Sequence, residues 1–233
     1  MNLHFITSVS KDYWNNVGKY CISSWNLPGK VTVYVDQHQG DLKWISEIPH
    51  NVELLHVPEL KVNNEFVDRR KVLKFWGKSC AQFTALRNRE NHERVVWIDS
   101  DIEQTSKISK EMFTFSFSEP VAVMNSSDGD DCWESGIVIF NQENTKLGIF
   151  LKKYESAWRS EEILESLWKP YDAQVLGYVA SERGYFNLCE KPCKNIQALE
   201  HTCFKNTFKH WINKENKILL KEKHESKDSN DIS

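Results

Sequence analysis

Short apolar runs alternate along the first 100 residues with stretches that have the spacing of amphipathic helices. Apolar, β-branched runs followed by polar or turn-forming residues predict four strands, at 3–9, 31–35, 52–57 and 94–98. Helical spacing predicts three helices, at 12–25, 41–47 and 68–89. Regular alternation of strands and helices is typical of a mostly parallel sheet that is covered by helices.

The second half of the chain continues this pattern. Apolar runs predict further strands at 121–124 and 136–140, and helical spacing predicts helices at 145–158, 160–168 and 171–182. The sequence therefore predicts an α/β, Rossmann-like fold with one mostly parallel central sheet and helices on both faces. Residues 1–213 are expected to form a single domain. Half of residues 214–233 are charged and few are apolar, which predicts a frayed helix or a disordered tail without a chemical role.

The amino-acid composition excludes several classes of protein. The 40% hydrophobic residues exclude a wholly disordered chain, and no window has the 18 apolar residues of a membrane span. A formal net charge of −3 argues against binding of polyanions by bulk charge alone. The first residues lack the features of a signal peptide, so we expect a cytoplasmic protein, in the host cytoplasm if it is encoded by a virus.

In a cytoplasm the six cysteines are expected to be reduced. Three of these cysteines and one histidine are candidate zinc ligands: Cys189, Cys193, His201 and Cys203. Their spacing is irregular for a zinc site, so buried or incidental thiols are the alternative interpretation.

The pattern with the clearest chemistry is a pair of carboxylates, Asp99 and Asp101, directly after the predicted strand at 94–98. Side chains two apart on a strand point the same way, and open α/β sheets bind ligands at the carboxyl ends of their strands. Paired carboxylates there suit Mg²⁺ or Mn²⁺, which could hold a diphosphate. The residues from Asp99 onward do not have the spacing of an EF-hand loop. A metal-dependent nucleotidyltransferase, which also uses paired carboxylates with a metal, remains an alternative function.

A basic stretch precedes these carboxylates. Residues 69–94 contain eight Lys or Arg and two Glu. Arg70, Lys74 and Lys78 are spaced by four residues, which places them on one helix face with a charge opposite to that of a diphosphate. The alternative interpretation is that most of these charged side chains lie on a solvent-exposed helix face and do not bind a diphosphate.

The segment Val95-Val-Trp-Ile-Asp99-Ser-Asp101 resembles the metal-binding D-x-D strand of GT-A glycosyltransferases, of the glycogenin and lipopolysaccharide galactosyltransferase (family 8-like) type. Five further segments resemble the family's in the same order. Phe5-Ile-Thr7-Ser8 resembles its first strand, whose end contacts the donor's base, and Trp76-Gly-Lys78-Ser-Cys-Ala81 is similar to the stretch before the D-x-D that holds a basic residue toward the donor. Trp133-Glu134-Ser135-Gly136 is similar to its F-N-S-G strand, with Glu134 in place of Asn. Asp172-Ala-Gln is similar to its D-Q-D segment, and His210 opens a segment similar to its late H-x-x-G.

The resemblance implies a GT-A domain whose D-x-D lies at the end of a central strand and whose metal ligands are Asp99, Asp101 and His210. It implies Mn²⁺ or Mg²⁺ as the cofactor and a nucleotide-diphosphate sugar, above all a UDP-sugar, as the donor. Ten residues are assigned to donor binding: Thr7, Ser8, Asp36, Arg70, Lys74, Lys78, Ser100, Ser135, Gly136 and Lys214.

Asp172 and Glu134 are the candidate catalytic residues. They are expected to position the acceptor or to face the anomeric carbon, and Glu134 could act as a general base in an inverting reaction. The expected acceptor is a hydroxyl of a glycan or lipid-linked saccharide, or of a modified base in DNA. Two alternatives stay open: a metal-dependent nucleotidyltransferase and a noncatalytic module that binds nucleotides or glycans.

Overall fold

A computed structural model describes most of the chain, in eight ranges: 1–60, 69–88, 92–125, 133–167, 171–189, 199, 202–211 and 214–228. Within these ranges it describes only the backbone of 69–71, 214–215 and 224–228.

The strands form one large and one small sheet. Their bounds are β1 Leu3–Ser8, β2 Lys30–Asp36, β3 Asn51–Leu55, β4 Arg94–Ile98, β5 Ile102–Gln104, β6 Val121–Asn125, β7 Trp133–Asn141, β8 Phe186–Asn187 and β9 Phe208–His210. The large sheet has the order β3-β2-β1-β4-β7-β6-β8, and β5 pairs with β9 in the small one. Only β7 runs against its neighbours in the large sheet, so this sheet is mostly parallel as predicted.

The bounds of the helices are α1 Lys11–Tyr13, α2 Lys19–Ser23, α3 Arg69–Arg87, α4 Leu147–Arg159, α5 Glu161–Ser166, α6 Asp172–Arg183 and α7 Lys214–Asp228. Helices α1 to α6 lie in the connections between the strands, and α7 follows the last strand. A π-helical turn, Trp14–Gly18, joins α1 to α2, and two 3₁₀ turns cover Lys43–Glu47 and Lys110–Phe113.

Alternation along the strands divides the apolar side chains between two cores. Val95 and Trp97 of β4 face the core formed with α3, α4 and α6. Val96 and Ile98 face the opposite core, which contains Phe113 from the 3₁₀ turn. All five residues of β4 are buried, as expected for a central strand that is covered on both faces.

The reversed direction of β7 brings its first residues to the carboxyl edge of β4. Ile98 lies opposite Ile137, and the amide of Asp99 donates to the carbonyl oxygen of Gly136 at 2.8 Å. The small sheet adds a third segment to the same place, because Ile102 of β5 lies opposite His210 of β9. Three segments that are distant in sequence therefore meet just beyond β4.

The predicted strands and long helices are all present, with ends shifted by a few residues. Three short strands, β5, β8 and β9, were not predicted, since two or three residues are too few to show a periodic pattern. At the C-terminal end, where a frayed helix or a disordered tail was predicted, residues 214–228 form helix α7. Its Leu220 is buried in a small core with Val17, Cys21 and Trp211.

Candidate active site

The three predicted metal ligands lie together at the carboxyl edge of β4. Asp99, Asp101 and His210 each offer one ligand atom, and these atoms all lie within 4.8 Å of one another. His210 Nε2 is 3.1 Å from Asp101 Oδ1. The backbone fixes this approach, since the amide of Trp211 donates to the carbonyl oxygen of Asp101 at 3.0 Å.

This group has the chemistry of a divalent cation site. Two carboxylates and one imidazole are a suitable ligand set for Mn²⁺, and the two carboxylates also suit Mg²⁺. The backbone leaves space for the imidazole, because a Cβ atom at Gly136 would lie only 3.2 Å from His210 Cε1. The residues present therefore fit the cation that the resemblance implies.

A buried lysine joins the first carboxylate to Asp172. Lys78 Nζ lies 2.6 Å from Asp99 Oδ1 and 2.6 Å from Asp172 Oδ2, and it donates to the Ser135 carbonyl oxygen and hydroxyl at 3.1 and 3.0 Å. Burial alone would lower the pKa of Lys78, but the charges of Asp172 and Asp99 outweigh it and raise the pKa above its ordinary value. The ammonium group therefore stays charged and holds α6 against β4.

Asp99 accepts two hydrogen bonds at one oxygen. Besides Lys78, the indole Nε1 of Trp97 donates to Asp99 Oδ1 at 2.7 Å. Burial raises the pKa of Asp99; Lys78 opposes this shift, and the nearby carboxylates of Asp101 and Asp172 add to it. Positive charge at this point would relieve the repulsion among the three carboxylates.

Asp101 is held by groups from three different elements. Tyr13 donates its hydroxyl hydrogen to Asp101 Oδ2 at 2.5 Å, Lys217 Nζ lies 3.0 Å from the same oxygen, and His210 binds the other oxygen. Burial would raise the pKa of Asp101, but the hydrogen bond and charge of His210, with Lys217 and Tyr13, hold it well below its usual range. Asp101 is therefore a carboxylate over the physiological pH range.

His210 lies between two carboxylates. Its Nδ1 is 3.0 Å from Glu134 Oε1, and its Nε2 faces Asp101. Burial alone would lower the pKa of His210, but hydrogen bonds to Asp101 and Glu134 and the charges of both raise it to about 10. Without a metal ion, the imidazole is thus a cation that partly neutralises the site.

Of the candidate catalytic residues, Asp172 is buried at the first position of α6, and Ser135 donates its hydroxyl hydrogen to the same oxygen that Lys78 contacts. The catalytic role of Asp172 stays a prediction. Glu134 contacts His210, and this contact is considered further below.

The residues assigned to the donor are more scattered. Ser100, Ser135 and Gly136 lie in or beside the D-x-D and at the start of β7. Thr7 and Ser8 end β1, where Thr7 is fully buried, and Asp36 ends β2 and accepts from the His38 amide at 3.0 Å.

Lys74 on α3 is exposed, and its ammonium lies 5.0 Å from the centre of the Tyr13 ring. The side chains of Arg70 and Lys214 lie outside the described residues. The assignments of all ten residues to the donor stay predictions.

Sequence reasoning missed three contacts in the site: those of Tyr13, Trp97 and Lys217. Trp97 could have been found, because it lies two residues before Asp99 on a strand and so points to the same side. Tyr13 and Lys217 carry no such signal, since their positions depend on how the segment after β1 and helix α7 pack.

The zinc hypothesis stays a prediction, since Cys193 and His201 lie outside the described residues. Among the residues that the structure describes, Asp99, Asp101 and His210 are the group with metal-ligand geometry. In that same part of the chain, none of the helices is long and apolar enough to cross a membrane.

Comparison with solved structures shows that the chain has the GT-A fold of glycosyltransferases. A glycosyltransferase involved in the glycosylation of the major capsid of PBCV-1 superposes with a TM-score of 0.57, over 95% of this chain and 100% of its own, at 13% identity. The galactosyltransferase LgtC, solved with donor and acceptor sugar analogs, gives a TM-score of 0.53 over 93% of this chain and 94% of its own, at 10% identity.

The glycosyltransferase GlyE of Streptococcus pneumoniae TIGR4 also has a TM-score of 0.53, at 13% identity, over 81% of this chain. The chain spans only 45% of the length of GlyE. No protein-family model and no curated protein matches the sequence. At these identities the solved structures establish the fold, and the activity has to be argued from the site.

Proposed function

We propose that this chain is a metal-dependent glycosyltransferase, which moves a sugar from a nucleotide-diphosphate sugar to a hydroxyl group of an acceptor. The observation that carries the proposal is the meeting of Asp99, Asp101 and His210 at the carboxyl edge of a central strand in a GT-A fold. Open α/β sheets bind ligands at this edge. A UDP-sugar is the first donor to test.

Asp99, Asp101 and His210 would hold Mn²⁺ or Mg²⁺. Bound there, the cation supplies positive charge that stabilises a diphosphate as a leaving group. Lys217 adds a second positive charge beside Asp101, and an ammonium group in a partly buried site is well placed to stabilise developing negative charge.

Lys78 has a different part in this proposal. Its contacts with Asp99, Asp172 and Ser135 engage the ammonium group within the protein, so it orients the two carboxylates. Asp172, which this network fixes in place, would face the transferred sugar at the start of α6. A saccharide is the expected acceptor, and a modified base in DNA is the alternative.

A thermal-shift panel of nucleotide sugars with and without Mn²⁺ tests the proposal, because ligands that bind the folded state raise its melting temperature. We expect a shift for at least one donor that requires Mn²⁺ and is lost in Asp101→Asn. Slow donor hydrolysis should release a nucleoside diphosphate. A panel without any shift would contradict the proposal, and release of pyrophosphate would instead indicate a nucleotidyltransferase.

The acceptor class can be tested separately. Salt-sensitive binding to duplex DNA would favour the modified base, because phosphate contacts weaken steeply with ionic strength. Absence of DNA binding, together with transfer to a saccharide, would support the expected acceptor.

A further inference from the structure

The carboxylate of Glu134, the second residue of β7, lies against the imidazole of His210. Glu134 Oε1 is 3.0 Å from Nδ1, and the two side chains are only 15% and 12% exposed. On the opposite side of the ring, Nε2 is 3.1 Å from Asp101 Oδ1. Each ring nitrogen of His210 therefore faces its own carboxylate, and only Asp101 belongs to the candidate metal ligands.

This arrangement matters for metal binding because a histidine binds a metal through one nitrogen only. The hydrogen bond made by the other nitrogen fixes the tautomer and the orientation of the ring. Since Nδ1 faces Glu134, Nε2 is the nitrogen that faces the metal ligands.

The backbone of β7 fits closely around this pair. A Cβ atom at Gly136 would lie 3.2 Å from His210 Cε1 and 3.4 Å from Glu134 Oε1. Absence of a side chain at this position therefore lets the imidazole and the carboxylate approach each other over the strand.

We propose that Glu134 is a positioning residue, which accepts a hydrogen bond from Nδ1–H of His210 and thereby presents Nε2 to the divalent cation. This inference rests on the proposed function of the site. It assigns to Glu134 a part different from that of a general base, which would have to reach the acceptor hydroxyl. The contact with His210 and the low exposure of the carboxylate support the positioning role.

The test compares Mn²⁺ affinity, measured from the electron paramagnetic resonance signal of free Mn²⁺, in the wild type, Glu134→Ala and Glu134→Gln. Loss of such a partner typically weakens metal affinity by about 10- to 100-fold, and we expect a loss of this size in Glu134→Ala. Glu134→Gln should lose less, because its amide oxygen still accepts from Nδ1–H. The Mn²⁺ concentration that gives half-maximal donor hydrolysis should rise by a similar factor in Glu134→Ala.

Glu103→Gln is the matched control. Glu103 is also a buried carboxylate near the site, but it binds Trp211 Nε1 at 3.2 Å and Lys223 Nζ at 2.7 Å. Replacing Glu103 removes the same charge while the contact between Glu134 and His210 remains, so Mn²⁺ affinity should change much less than in Glu134→Ala. Thermal unfolding of each variant in EDTA confirms that the protein is folded.

The possible results separate the two proposals. A wild type that binds no Mn²⁺ would contradict the proposed function itself. Wild-type affinity in Glu134→Ala, or an equal loss in Glu103→Gln, would overturn only the positioning role. If Glu134→Gln binds Mn²⁺ with wild-type affinity but does not turn over at saturating Mn²⁺, Glu134 is a catalytic base. That result would also overturn the positioning role.

Discussion

The ammonium group of Lys217 lies 3.0 Å from Asp101 Oδ2 and joins the C-terminal helix α7 to the second carboxylate of the D-x-D pair. The same ammonium donates to the Tyr13 hydroxyl at 2.6 Å, and Tyr13 in turn donates to Asp101. A lysine from the charged C-terminal segment thus contributes positive charge to the candidate metal site. This charge should affect a bound cation and a bound anion in opposite ways.

Replacing Lys217 by Met should therefore weaken binding of a nucleoside diphosphate without weakening binding of Mn²⁺ alone. A hydrogen bond between charged groups contributes about 1.5–3 kcal/mol, so diphosphate affinity should fall by roughly tenfold or more. Mn²⁺ affinity should stay constant or rise, since the ammonium no longer competes for Asp101. Isothermal titration calorimetry measures both affinities.

Lys152→Met is the control for this experiment. Lys152 is an exposed lysine on α4, and its replacement makes the same change in net charge. Equal losses of diphosphate affinity in the two variants would mean that overall charge, and not the position of Lys217, determines binding.

Replacing Lys78 by Met should strongly destabilise the fold. The substitution leaves Asp99 and Asp172 close together and without the cation that lies 2.6 Å from both. Removing one partner of a buried ion pair typically costs about 3–5 kcal/mol. Urea unfolding at pH 7 should show a loss of this size, and the double variant Lys78→Met/Asp172→Asn should recover part of it.

A surface ion pair provides the comparison. Lys153 lies 3.3 Å from Glu182, and both side chains are partly exposed. Exposed pairs contribute about 0–1 kcal/mol, so Lys153→Met should have little effect. If the two lysine variants lost similar amounts of stability, the buried network would not have the importance assigned to it here.

The fold could be predicted largely from the sequence, because long buried strands and amphipathic helices each produce a periodic pattern. The segment 94–98 shows this well: its apolar run at 95–98 predicts a central strand, and the structure has β4 at Arg94–Ile98 with every residue buried. The reversed direction of β7 could not be predicted from periodicity, since a strand has the same alternation in either direction.

The site was predictable where its residues are close in sequence. Asp99 and Asp101 could be placed together from strand geometry alone, whereas His210 was assigned only from the resemblance. Its position depends on pairing of the three-residue strands β5 and β9. The contacts of Tyr13 and Lys217 with Asp101 depend on tertiary packing, for which a single sequence provides no spacing rule.

Replacing Gly136 by Ala should weaken Mn²⁺ binding with only a small effect on stability. The added methyl group would lie 3.2 Å from His210 Cε1, so the imidazole has to shift by a few tenths of an ångström from its position beside Asp101. Gly148→Ala on α4 is the matched control, because a Cβ atom there meets nothing within 4 Å. Unchanged Mn²⁺ affinity in Gly136→Ala would show that the site tolerates movement of His210.

The raised pKa of His210 leads to a prediction about stability in EDTA. Its pKa is about 10 in the folded chain against 6.5 for a free imidazole. His210 should therefore stabilise the metal-free fold fully below about pH 6.5, and this contribution should disappear as the pH rises through about 10. The difference in unfolding free energy between the wild type and His210→Gln, measured by urea denaturation in EDTA, should be largest at pH 6 and small near pH 10.5. A difference that is constant over this range would mean that His210 is not charged between Asp101 and Glu134.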